Sequence, residues 1–199
     1  MEFWRTKFEV EECLKASGLA YTILRPAAFM ETHAHELLGK AIMNGGTAVI
    51  LGRGDRPVNF VAVRDVATFA LLALTTPSAR GATIEIGGPG NPTRNQVAEL
   101  YARMSGRPLK VRHVPAGVVG FLGSVIGLAH PGIGGVMRAS ALFESIDQSF
   151  DPSETLRRFP TTLTPLETFV REQVDAATNG AAAGVSPVVS DDQSRTRVR

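Results

Sequence analysis

The chain has 199 residues, 44% hydrophobic and 20% charged, which is ordinary globular usage for one domain with a core of its own. Lys and Arg outnumber Asp and Glu by 21 to 19, too even a balance to build the basic field that nucleic acid would require. One cysteine, Cys13, excludes an intrachain disulfide, the first residues lack the apolar core of a signal peptide, and the most apolar run (114–130) is shorter than the roughly 20 residues of a membrane helix. The expectation is a soluble, cytoplasmic protein with no membrane or nucleic-acid partner.

In chain order, the spacing of Trp4, Val10, Cys13 and Leu14 predicts an amphipathic helix over 3–17, with Cys13 on its buried face. Ser17 and Gly18 supply its stop. The run LAYTILR (19–25), bounded by Gly18 and Pro26, predicts a buried strand, and RPAAF (25–29) the loop after it. A helix is expected over 31–43, ended by Gly45 and Gly46. Two short strands, 48–51 and 58–63, flank the turn GRGDRP (52–57). Asp65 reads as the N-cap of a helix over 66–75, and 81–88 as a further strand and turn.

The segment 91–108 carries Thr93 and Gln96 at capping-box spacing, with Val97, Leu100, Tyr101 and Met104 as its apolar face and Gly106 as its stop. A strand follows at 109–114. Residues 115–147 predict Gly-rich helices. Over 162–177, Thr164, Pro165 and Glu167 mark the start of a last helix. The composition of 178–199 predicts a disordered tail. Three regions result. Residues 1–114 form an α/β region with helices packed on a sheet, 115–177 are mostly helical, and 178–199 are the tail.

The stretch KFEVEECLKASGLAYTILRPAAFM (7–30) resembles the NmrA-like, atypical short-chain dehydrogenase/reductase proteins that bind NAD(P). The likeness is carried by Lys7, Val10, Glu11, Leu14, the Ser17, Gly18, Leu19 turn, the strand 21–25, Pro26 and Phe29. It continues in order through FVAVRDVA (60–67), IEIGGP (84–89), SGR (105–107), HVP (113–115), Phe159 with Pro160, and TPLETFVR (164–171), covering 3–175.

The resemblance implies a partial Rossmann-type α/β fold, the second half of a doubly wound sheet, with a small, mostly helical substrate lobe. It implies NAD(P)H as cofactor and a small-molecule substrate. Lys7 would hold the nicotinamide ribose hydroxyls, which suits an ammonium with three donors. Pro26, Ala27, Ala28 and Phe29 would border the nicotinamide, and Phe29, Phe60 and the 115–143 helices the substrate.

Two departures matter. Phe3 stands where related enzymes place a tyrosine, and phenylalanine has no proton to donate. Hydride transfer to a quinone-like acceptor would then take its proton from water or another group. The family's first βαβ unit, with its Gly-rich phosphate loop, is expected ahead of this helix and does not occur in the 199 residues. The chain is therefore expected to bind the dinucleotide weakly, and to self-associate through an uncovered sheet edge. A truncated product or a non-catalytic binding module is the alternative.

GVVGFLG (117–123) matches G-x-x-G-x-x-G, but Pro115 and Ala116 intervene after the strand and no second strand ending in an acid follows. A packed helix relieved by glycine is expected there. His33 and His35 are two apart and do not share a helix face, and no cluster predicts a metal site.

Overall fold

The computed structural model describes the backbone of residues 2–144 and 146–183, and the side chains of 5–144 and 146–179. In chain order the elements are α1 (Glu2–Ala16), β1 (Ile23–Pro26), β2 (Ala28–Phe29), a π-helix (Met30–Gly39) and α2 (Lys40–Met43). There follow β3 (Ala48–Leu51), β4 (Phe60–Val61), α3 (Val63–Thr75), a 3-10 turn (Pro77–Ala79) and β5 (Thr83–Ile86). Then come α4 (Arg94–Ser105), β6 (Val111–Val114), α5 (Ala116–Ile126), α6 (Pro131–Phe143), α7 (Ser153–Arg158) and α8 (Leu166–Ala183).

The described strands form three parallel pairs, β1 with β5, β2 with β4 and β3 with β6. Parallel pairs joined by helices are the α/β architecture that the alternation of elements predicts. The two-residue strands β2 and β4 divide the interior. Ala28 and Phe60 face one core, with Met30, Leu38, Ile42, Ile50, Val97, Tyr101 and Val170. Phe29 and Val61 face the other, with Phe69, Ile84, Ile86 and Phe159. Alternation of side chains along a strand places neighbours on opposite faces. Tyr101, Phe60, Phe69 and Met30 are fully buried, each stabilising the fold by on the order of 2 kcal/mol.

Helix α4 starts and stops as its sequence requires. The Gln96 N–H donates to Thr93 Oγ1 at 3.1 Å, the Thr93 N–H donates to Gln96 Oε1 at 2.8 Å, and Gly106 takes the left-handed conformation at φ 65°.

Four expectations are corrected. Cys13 is exposed, as are Phe8 and Val10, because none of the described side chains of α1 belongs to either buried cluster. The helix is fastened by ions instead, with Arg25 Nε and Nη2 donating to Glu11 at 3.0 and 2.6 Å. That hydrogen bond holds the Glu11 carboxyl below its ordinary pKa.

Asp65 is not an N-cap: α3 begins at Val63, whose N–H donates to the Glu31 carboxylate at 3.0 and 3.1 Å. A carboxylate from the π-helix thus caps α3. Asp65 is buried and bonded to Thr164, which commits that hydroxyl away from its own helix.

The segment 25–29, expected as a loop, is mostly strand, because Ala28 and Phe29 find a second partner in β4. Finally, α8 continues through Ala183, past the expected start of the tail at 178. The remainder of that tail lies outside the described residues.

Candidate functional site

The extended segment 23–29 changes partners midway. Pro26 is in register with Ile86, the Ala27 N–H donates to the Ile86 carbonyl at 2.8 Å, and Ala28 is then in register with Phe60. Pro26 has no N–H to give a ladder, and it stands at the last pair of β1. The carboxyl ends of β1, β2 and β5 therefore gather at one place, where open α/β sheets bind ligands.

A cavity of about 330 Å³ opens there, lined by Met30, Phe60, Pro89, Gly90, Pro92 and the start of α8 at Pro165 and Leu166. Its walls are mostly apolar. One buried residue shapes them. The Asn59 carboxamide N–H groups are shared among the carbonyls of Gly88, Gly90 and Phe150 and Asn91 Oδ1, at 2.9 to 3.4 Å. Its Oδ1 accepts from the Gly88 N–H at 2.7 Å. Asn59 thus pins the loop after β5 onto β4. Gly88 is required in that loop, since a Cβ there would meet the Phe60 carbonyl oxygen at 1.9 Å.

Of the expected site residues, Phe60 lines this cavity, with Met30 directly after β2 beside it. Phe29 lines neither described cavity; it faces the second core. Ala27, Ala28 and Phe29 are half-buried, Pro26 is exposed, and Lys7 is exposed on α1. The side chain of Phe3 lies outside the described residues.

A larger cavity of about 760 Å³ lies at the turn between β3 and β4. Gly52, Arg53, Asp55, Arg56 and His113 line it, with Pro115, Ala116, Ala141 and Glu144 from the helical lobe. Nothing in the local sequence pattern marks this site, apart from the expectation that the 115–143 helices would border substrate. Asn95 holds the turn, its N–H donating to the Gly54 carbonyl at 3.1 Å and its Nδ2 to the Arg53 carbonyl at 2.9 Å. His113 Nε2 lies 3.0 Å from Asn95 Oδ1, a geometry that makes Nε2 the donor.

Glu144 is almost buried and pairs with Arg94 at 2.6 Å. Burial raises the Glu144 pKa against the attraction of Arg94, and burial likewise lowers that of Arg94. Gly52 is needed beside it, at φ 68° and with its Cβ position 2.8 Å from Glu144 Oε2.

The segment GVVGFLG lies inside α5. Gly123 is buried against α6, where a Cβ would meet Met137 Cβ at 2.8 Å and the Gly134 carbonyl at 3.0 Å. Gly120 and Gly123 thus bring the two helices together. Among the described residues no group of His, Cys, Asp or Glu is placed to hold a metal ion. No described helix is long and apolar enough to cross a membrane. His35 Nδ1 lies 3.2 Å from the hydroxyl of buried Tyr101, which gives that ring its polar partner.

Among curated proteins, the chain is similar to the (4-alkanoyl-5-oxo-2,5-dihydrofuran-3-yl)methyl phosphate reductase of Streptomyces griseus, 37% identical over 53% of this chain and 36% of that protein. It is also similar to the NAD(P)H azoreductase of Xenophilus azovorans, 28% identical over 51% of this chain and 35% of that one. The chain thus spans about a third of the length of these relatives.

In fold it matches the NADPH-dependent quinone oxidoreductase of Escherichia coli in complex with NADPH. The TM-score is 0.65 at 24% identity, over 86% of this chain and 58% of that one. Isoflavone reductase matches with a TM-score of 0.62 at 21% identity, over 86% and 58%. Both likenesses bear out the Rossmann-type reading of the fold. The model of the NmrA-like family matches residues 1–169, most of the chain, and the protein belongs to that family.

Proposed function

We propose that this chain supplies the nicotinamide end and the acceptor end of an NAD(P)H-dependent reductase, which passes hydride to a small organic or quinone-like acceptor. The observation that carries this reading is the gathering of parallel strand ends beside the apolar cavity at Phe60 and Met30. Small Ala27 and Ala28, half-buried at that edge, fit a planar ring lying against the backbone. Lys7 would hold the ribose hydroxyls and the backbone of 26–29 would border the ring. The cofactor, when bound, supplies the hydride. Phe3 offers no proton, so the proton on the reduced acceptor comes from water or from a group on the acceptor side.

The pyrophosphate end has no such support. The Gly-rich loop that joins β5 to α4 is committed within the protein, its Gly88 N–H donating to Asn59 Oδ1 and the start of α4 capped by Thr93 and Gln96, so it offers no free donors of the kind that bind dinucleotide phosphates. The 199-residue chain therefore has weak affinity for NADPH. Titration followed by amide NMR and nicotinamide fluorescence tests this. Millimolar NADPH should shift the amides of Ala27, Ala28 and Phe29 without saturating in the micromolar range, and Lys7→Ala should weaken the response. Saturable micromolar binding would overturn the weak affinity; silence at 26–29 would overturn the site.

A further inference from the structure

The α5–α6 hairpin stands outside the core. Neither helix gives a residue to the two buried clusters, and only Gly123 and Gly134 are buried, where the helices cross. The outer face of α5 carries Val118, Phe121, Leu122 and Val125 at helical spacing, all exposed, Phe121 by 69%. Leu128 at the tip is 88% exposed, and Ile133 and Val136 add exposed apolar surface on α6. Ser124 is the one polar side chain of α5. A helix apolar on all sides belongs in an apolar medium, and neither buried cluster supplies one here.

The hairpin also pairs its polar groups internally. Ser124 Oγ donates to the Gly120 carbonyl at 3.0 Å, and Arg138 Nη1 to the Gly123 carbonyl at 3.0 Å. At the tip, the Leu128 N–H donates to the Val125 carbonyl at 3.2 Å, and the Ala129 and His130 N–H groups to the Ile126 carbonyl at 3.1 and 2.8 Å. Lipid demands such pairing, because it offers no hydrogen bonds of its own. Gly123 and Gly127, four apart, admit the Gly134 backbone, the small-residue crossing that membrane helices use. Charge points to the same partner. Residues 114–137 contain no Asp, Glu, Lys or Arg, and no acid occurs between Glu99 and Glu144. Exposed Arg112 and Arg138 flank this run, a complement to negative headgroups.

We propose that the α5–α6 hairpin docks on an anionic lipid bilayer, with Phe121, Val125 and Leu128 in the acyl region and Arg112 and Arg138 toward the headgroups. Helix α5 has 11 residues and is about 16 Å long. That is close to half of the roughly 30 Å hydrocarbon core, so the hairpin enters one leaflet and does not cross. The apolar run 114–130, too short for a spanning helix, is long enough for this. Apolar burial gives the affinity and the flanking cations the preference for negative lipid. The proposal does not rest on the reductase reading.

Flotation of the full chain with vesicles tests this, without nucleotide. Vesicles of phosphatidylcholine with about a third phosphatidylglycerol should carry the chain upward, and pure phosphatidylcholine should carry much less. Raised salt, which alters no residue, should weaken the binding. Phe121→Asp combined with Leu128→Asp should lower partitioning about 10-fold or more. Both side chains are exposed, so the fold should survive, and circular dichroism melts check it. Leu74→Asp, at a leucine of α3 that is 84% exposed outside the hairpin, should bind as the parent does. No flotation with anionic vesicles, equal binding to both compositions, or unchanged binding of the double variant would overturn the proposal. So would an equal loss in Leu74→Asp. Size exclusion without lipid reads the other occupant: a dimer that the double variant breaks, with no vesicle binding, gives this face to a second copy and overturns the lipid.

Discussion

Asp65 and Thr164 are 99 positions apart in sequence and joined by two hydrogen bonds. The Thr164 N–H donates to Asp65 Oδ2 at 2.8 Å, and the Thr164 hydroxyl donates to Asp65 Oδ1 at 2.8 Å. Arg64, the residue before Asp65, donates from Nε to the same hydroxyl at 2.8 Å. Together these bonds fix the start of α8 to the first turn of α3, and α8 closes both the first core and the small cavity.

Asp65→Ala should therefore cost about 3 kcal/mol, because it leaves a buried N–H and a buried hydroxyl without their charged acceptor. Asp65→Asn should cost less, since a carboxamide keeps one acceptor oxygen. Urea unfolding of the three proteins checks the order. Equal stability of Asp65→Ala and the parent would contradict the assigned role.

Gly39 lies against the ring of Tyr101. A Cβ there would meet Tyr101 ring carbons at 2.4 to 2.8 Å, and Tyr101 is fully buried, so its ring has nowhere to go. Gly39→Ala should cost about 1–3 kcal/mol from overpacking. The same change in a Tyr101→Leu background should cost much less, and a double-mutant cycle reads the difference. Additive losses would locate the strain elsewhere.

The pair Arg94 and Glu144 gives a pH-dependent test. Burial lifts the Glu144 pKa above its ordinary 4.5. The folded chain thus holds this proton more tightly than the unfolded chain. The stability that the group contributes is complete below 4.5 and is lost as pH rises through the raised value. Arg94→Met removes the opposing charge and should cost about 3 kcal/mol near neutrality. That penalty should shrink as the pH falls and the carboxyl is protonated. Glu144→Gln should change stability little at neutral pH and should flatten the slope. Thermal melts across the acid-to-neutral range check both; a penalty for Arg94→Met that does not change with pH would sink the assignment.

What the sequence reveals here follows from how local its signals are. Thr93, Gln96 and Gly106 lie within one helix and its caps, and α4 begins and ends where they indicate. The glycines of 117–123 read correctly as helix packing because Pro115 stands between them and the strand. Glu31 caps Val63 from 32 positions away, which no window around Asp65 reveals. Cys13 reads as buried because periodicity marks an apolar stripe, whereas burial depends on what lies against the stripe. At the candidate site, the resemblance names Phe60, which lines the smaller cavity. The orientation of Phe29 depends on β2 pairing with β4, a contact between segments 32 positions apart, from Ala28 to Phe60 and from Phe29 to Val61. The larger cavity draws on three separate segments, 52–56, 113–116 and 141–144, and has no motif.

The crossing of α5 and α6 has a mechanical consequence. A Cβ at Gly134 would meet the Gly123 carbonyl oxygen and the Gly127 Cα, both at 2.4 Å, so the two helices touch main chain to main chain. Arg138 adds a bond from Nη1 to the Gly123 carbonyl at 3.0 Å. Contact between backbones at this point resists one helix slipping past the other. The hairpin is therefore stiff at its crossing, and so is the wall that Pro115, Ala116, Ala141 and Glu144 give the larger cavity.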